Sequence, residues 1–293
     1  MQYVSPYRLW QALEGDAAIE HFPELRQFRK RLLLERDLAG DAFLVLDGRE
    51  YSGDDILRLC EQWEQTPELW DFHRKVLEYP LLLAVLEKGI WWGEMLPDAA
   101  QFGPEEGVMR QYLGGYLAPV LQQALKRVFV HRDFRTGRQC LQQLDLLDEA
   151  KRSLMYAEIL HRGTGLCREI ELHTRLEKPL HKEHWRFLER EDFYLFFNTP
   201  GEGFAGIRNR IALAVNNQFA MQINKRKGIL FTGAVLVQAL KLDCSEDYRV
   251  YLMRNRQRVF EPSDLFQALL IGFVMLVFCI GLIWLVQYTN RPF

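Results

Sequence analysis

Along the first 190 residues the apolar side chains recur every three to four positions, the period of helices that bury one face. Ser5-Pro6 opens a short helix ending near Gly15, and Phe22-Pro23 opens another. That second helix places Leu25, Phe28, Leu32 and Leu33 on one face and Arg26, Arg29, Lys30 and Arg31 around the other. Residues 43–52, FLVLDGREYS, alternate about Asp47-Gly48 and predict a small hairpin. Gly53-Asp54-Asp55 leads into a helix through Trp63, and Thr66-Pro67-Glu68 starts one that runs to about Gly89. Pro80 lies inside it, lacks an amide hydrogen, and predicts a kink or break there. Two long helices follow, from Glu105 to about Val130 and from Gly137 to His161, with Gly163 and Gly165 breaking the pattern.

After Lys182 the pattern changes. The continuous apolar runs Phe193–Phe197 (FYLFF) and Ile229–Val237 (ILFTGAVLV) read as buried strands, and Tyr248–Met253 as a third. A helix from Ile207 to about Ile223 separates the first two. Then comes ALLIGFVMLVFCIGLIWLV at 268–286, with no charge and no strongly polar side chain. Nineteen residues rising 1.5 Å each reach about 28 Å, close to the roughly 30 Å hydrocarbon core of a bilayer. A buried core helix of that length normally keeps one polar face, and this run has none. The flanks agree: Pro262-Ser263-Asp264 is a helix start, and Trp284 and Tyr288 fall where an interfacial aromatic belt lies.

The predicted fold is thus a mainly α cytoplasmic body with a small α+β C-terminal part, followed by one C-terminal transmembrane helix. Its parts are a helical domain at 1–185, a mixed α/β region at 186–260, a span at 265–287 and a short extracytoplasmic tail at 288–293. The span includes Leu265, Ala268, Phe273, Leu276, Leu282, Trp284 and Val286. Arg254, Arg256 and Arg258 precede it and only Arg291 follows, so the positive-inside rule puts the body in the cytoplasm. Gly272 and Gly281 give the span two small positions, but not at the G-x-x-x-G spacing of a tight helix pair.

Composition adds little beyond this. The 37 basic and 39 acidic residues of the 293 nearly cancel, so nothing favours a nucleic-acid partner. Residues 225–264 hold eight basic residues against five acidic ones, an excess beside the span that follows the inside-positive bias and also suits anionic headgroups. The five cysteines are scattered and form no C-x-x-C pair, which argues against a disulfide framework or a zinc ribbon. The N-terminus, MQYVSPYRLW, has no basic-then-apolar build of a secretory signal.

Three motifs carry candidate chemistry. Gly201, Gly203 and Gly206 fit G-x-G-x-x-G between a predicted strand and a predicted helix, with Asp243 further on. Against a dinucleotide site stand Glu202 beside the phosphate position and the long Asn198-Thr199-Pro200 approach; a glycine turn before a helix is the commoner meaning. His173, His181 and His184, with His161 and Cys167, offer a metal set, yet H-K-E-H replaces the H-E-x-x-H of zinc proteases and surface histidines are the commoner meaning. Trp91-Trp92 suits either a docking surface or a core. His131 and Asp133 with a serine make a catalytic triad on paper alone. No P-loop, kinase or nucleophile-elbow motif occurs. The expectation is therefore a tail-anchored adaptor or scaffold subunit without enzymatic activity or cofactor. It would hold a cytoplasmic protein partner or assembly at the membrane, as in an envelope-spanning or secretion machine. The alternative is a membrane-tethered enzyme using the glycine turn for a nucleotide or the histidine stretch for a metal.

Overall fold

The computed structural model describes residues 3–15, 22–40, 43–46, 48–225, 228–260, 273–278 and 280. They are mostly helical. Helix α1 (Pro6–Glu14) carries Pro6 at its first turn, and the Ser5 side chain accepts the Arg8 amide. Helix α2 (Leu25–Ala39) stops at Gly40, whose left-handed conformation terminates it. Strands β1 (Phe43–Leu46) and β2 (Arg49–Ser52) pair antiparallel, with Leu46 opposite Arg49, as the alternation predicts. Gly48, at φ +73°, supplies the positive φ that a two-residue hairpin loop demands.

Ser52 then caps α3 (Gly53–Gln65) reciprocally with Asp55. The break at Pro80 is real. Helix α4 (Glu68–Leu77) ends, and α5 (Pro80–Lys88) begins with that proline at its first position, where no hydrogen bond is lost. Helix α6 (Glu106–His131) buries Leu113, Leu117, Leu121, Leu125 and Val128 along one stripe. Helix α7 (Phe134–Gln142) follows, capped by Asp133, and a 3-10 turn covers 143–146. Helix α8 (Glu149–Arg175) starts where Asp148 Oδ1 accepts the Lys151 amide at 2.9 Å. This corrects the expected helix from Gly137 to His161. The chain breaks at 143–148, where Leu144, Leu146 and Leu147 turn inward, and then runs helically through Gly163 and Gly165.

The region 186–260 contains no strand among the described residues, which overturns its reading as mixed α/β. After α9 (Lys182–Trp185), FYLFF lies in α10 (Glu191–Asn198), where Phe193, Tyr194, Phe196 and Phe197 are all buried. Helix α11 (Ala205–Asn224) matches its expected place. ILFTGAVLV forms α12 (Ile229–Ala239), and YRVYLM lies in α13 (Glu246–Phe260). A helix buried around most of its circumference shows an unbroken apolar run, the same signature as a buried strand.

The chain divides into two compact units, one of Met1–Gly165 with Leu195–Phe204, the other of Leu166–Tyr194 with Ala205–Phe293. The division falls inside α8 and α10. In the first unit, α6 is wholly or partly covered by α4, α5 and α7, and the rings of Tyr3, Phe28, Trp63 and Phe72 fill the core beside the hairpin. In the second, α11, α12 and α13 pack on one another around Ile211, Val215, Phe219, Val235, Leu236 and Leu252. Polar groups are paired inside it: Asn255 Nδ2 donates to Asn216 Oδ1 at 2.9 Å, and Gln218 Nε2 to the Lys178 carbonyl at 3.0 Å.

Among the described residues no helix is long and apolar enough to cross a membrane. The expected span at 265–287 lies outside them except for 273–278, which includes Phe273 and Leu276, and residue 280; these are helical. Leu265, Ala268, Leu282, Trp284 and Val286 lie outside the described residues, as does the tail at 288–293.

Candidate functional site

The paired tryptophans have opposite fates. Helix α5 stops at Gly89, and the chain that follows carries Trp91 into the core, 0% exposed, and leaves Trp92 69% exposed. The reversal after them depends on Gly93, whose φ of +109° disfavours any residue with a Cβ. Glu94 holds the pair from both sides of its own backbone: its carbonyl accepts Trp91 Nε1 at 2.7 Å, and its carboxylate accepts the Trp92 amide at 2.7 Å. Arg127 of α6 completes the arrangement. It donates to the Trp91 carbonyl at 2.6 Å, and its guanidinium carbon lies 4.4 Å from the Trp92 ring centroid. A planar cation over an indole face adds about 0.5–1 kcal/mol at an exposed site and fixes the ring's orientation.

These side chains wall a cavity of about 300 Å³ between the Trp91–Glu94 turn and the junction of α6 and α7. Ala124 and Val128 form its apolar floor, and His131, Asp133 and Thr136 its polar rim. Asp133 is committed to capping: its carboxylate accepts the Thr136 amide at 3.3 Å and the Thr136 hydroxyl at 2.7 Å. The structure thus brings His131 and Asp133 to one groove, with a threonine bonded to the carboxylate where a triad would need a free nucleophile activated by the histidine. Ile90 and Met95 are also exposed beside Trp92. From Lys126 to Arg138 the chain carries five lysine or arginine residues against the single carboxylate of Asp133. The groove is aromatic and apolar in its floor, with the Arg127 guanidinium and the carboxylates of Asp133 and Glu94 beside it. Arg127 is the member that sequence reasoning missed; its signal was the basic run that closes α6.

The glycine turn does not have the surroundings of a dinucleotide site. Helix α10 precedes Gly201, a 3-10 turn covers Glu202–Phe204, and α11 follows directly. The segments expected as strands on either side, 193–197 and 229–237, are helical. Gly201 takes φ +78° in the turn between α10 and α11, where its amide donates to the Asn198 carbonyl at 3.3 Å. A Cβ on Gly203 or Gly206 would meet no atom within 4 Å, so neither glycine marks a close backbone approach. Asp243 is engaged inside its own unit by Arg208, which donates to its carbonyl at 2.5 Å.

The histidines are spread. His173 and His184 both stack edge-on against the buried Trp185, with centroids 5.7 and 5.4 Å away, and His184 Nε2 lies 3.5 Å from Glu169. His181 is an exposed residue immediately before α9, and His161 lies on α8. Among the described residues no three histidine, cysteine or acidic side chains are grouped to hold a metal ion. The described cysteines are free and buried. Burial pushes the Cys60 thiol up to about 11 and Cys167 to about 12, so both stay protonated at neutral pH. No protein-family model, no curated protein and no solved structure matches this chain.

Proposed function

We propose that this protein is a membrane-anchored adaptor or scaffold subunit. The apolar segment 265–287 holds it in the bilayer, its body faces the cytoplasm, and that body docks a cytoplasmic protein partner or assembly. The observation that carries the reading is the uncharged 19-residue run at 268–286, long enough to span and without a polar face. The Trp92 groove supports the docking half. An exposed indole held rigid by Arg127 above an apolar floor has the character of an interface anchor, in which aromatic and arginine side chains dominate. Arg127 beside the indole suits a partner segment that sets an acidic residue next to one apolar anchor side chain. An envelope-spanning or secretion assembly is one setting for such a subunit.

The test is purification of the full chain from detergent-solubilised membranes, beside its Trp92→Ala variant. The full chain is expected to recover a stoichiometric protein partner, and the variant, still folded and still in the membrane fraction, to lose at least about tenfold of it. Recovery of a partner-free monomer carrying a stoichiometric nucleotide or metal would sink the adaptor reading in favour of an enzyme.

A further inference from the structure

Three helices of the second unit end together. Arg258 of α13 donates to Asn224 Oδ1, at the last residue of α11, at 2.8 Å. A Cβ on Gly233 in α12 would lie 3.1 Å from both Val259 and Phe260 of α13. The last turns of α11 and α13 therefore meet the first turns of α12. Leu230, one turn before Gly233, is 92% exposed there, and Phe260 is 61% exposed. Arg254, Arg256 and Arg258 are exposed on the same last two turns of α13. Leu252 and Asn255 form the buried side of that helix, so the arginines flank its outer face.

Single exposed apolar residues are ordinary. These two differ in their setting. They project among cations at the end of the unit from which the chain leaves for the apolar run. Five residue steps separate Phe260 from Leu265, at most about 17 Å of extended chain. We propose that this end of the second unit is a seat on an anionic phospholipid leaflet, with Leu230 and Phe260 entering the interfacial layer and Arg254, Arg256 and Arg258 at the lipid phosphates. The proposal rests on the reading of 265–287 as a span, which brings this end to the bilayer. It adds a second, composition-dependent contact that orients the body on the surface. Apolar side chains flanked by arginines are the pattern of interfacial helices, and the guanidinium fork matches phosphate geometry. Leu230 is the most exposed of the unit's large apolar side chains, and it lies with Phe260 and the three arginines at the end that precedes the apolar run.

The test places the full chain in lipid nanodiscs of pure phosphatidylcholine or of phosphatidylcholine with about 30% phosphatidylglycerol, a density at which each basic residue near the surface is worth about a fivefold change. Amide hydrogen exchange is read over 229–232 and 254–260. Exchange there is expected to be at least about fivefold slower in the anionic discs. The difference should vanish at about 1 M salt, where screening acts within about 3 Å. It should also vanish in the Arg254→Glu/Arg256→Glu variant, whose α11 amides, in the same unit and packed on α13, exchange as in the parent and so report an intact fold. Equal exchange in the two lipids overturns the proposal, including the case in which a protein rather than lipid covers this end. The span is tested separately by alkaline carbonate. Protein released by carbonate but still protected by anionic lipid loses the span and keeps the seat; protein retained with equal exchange loses the seat and keeps the span.

Discussion

Trp91 and Trp92 are adjacent and chemically identical, yet one fills the core and the other faces the groove. Gly93 decides this, because its left-handed backbone reverses the chain within one residue of the pair. His73 makes the same point about burial. It is 0% exposed, its Nδ1 lies 3.1 Å from the Tyr3 hydroxyl, and the rings of Tyr3, Phe72 and Trp63 surround it. Burial lowers its pKa from 6.5 to about 3, so the folded protein holds it neutral. The unfolded chain takes up a proton below about 6.5 and the folded chain does not. Stability from this site is therefore complete above that pH and declines as pH falls towards 3, by about 1.4 kcal/mol per unit. Between pH 7 and pH 5 the decline should reach about 2 kcal/mol. Urea unfolding at pH 7, 6 and 5 measures it, and His73→Gln should flatten the curve; an equal slope in both proteins would assign the loss to other groups.

At the scale of elements, the same substitution has opposite signs in two helices. Gly165 sits inside α8, and a Cβ there would meet nothing within 4 Å. Gly165→Ala should raise stability by about 0.5–1 kcal/mol, since alanine loses less backbone freedom on folding. Gly137 sits in α7, where a Cβ would lie 2.8 Å from Val128 and 3.0 Å from Phe196. Gly137→Ala should cost about 1–3 kcal/mol through overpacking among Phe129, Phe134 and Phe196. Denaturant midpoints of the two variants check both signs. The elements that were legible in the sequence carry local punctuation: Ser5-Pro6, Asp47-Gly48, Ser52 with Asp55, and Pro80 each terminate or start something within four residues. FYLFF carries none within it, and in ILFTGAVLV only Thr232 and Gly233 interrupt the apolar side chains, so neither segment has a period to choose helix over strand.

For the whole molecule, charge and hydropathy are polarised along the chain. The longest apolar run is the 19 residues at 268–286, and a basic excess precedes it. Alkaline carbonate should leave the full chain in the membrane pellet and release a chain ending at Glu261 into the supernatant. Retention of the shortened chain after carbonate and high salt would place an anchor elsewhere. The groove and the helix ends are also whole-molecule features, since they join residues far apart in sequence: Trp92 with Arg127 and Thr136, Asn224 with Arg258, and Gly233 with Phe260.

The sequence by itself determined the helical character of residues 1–190, the hairpin, the break at Pro80 and the apolar run, because each depends on periodicity or on the stereochemistry of a few neighbours. Only the tertiary structure decided that the runs after Lys182 are helices, that Trp91 is core and Trp92 surface, and that Arg127 stacks on the exposed indole. The physical reason is the same in each case. Burial and pairing are set by what lies across from a residue, and a segment whose local pattern fits two conformations takes the one whose faces its neighbours cover.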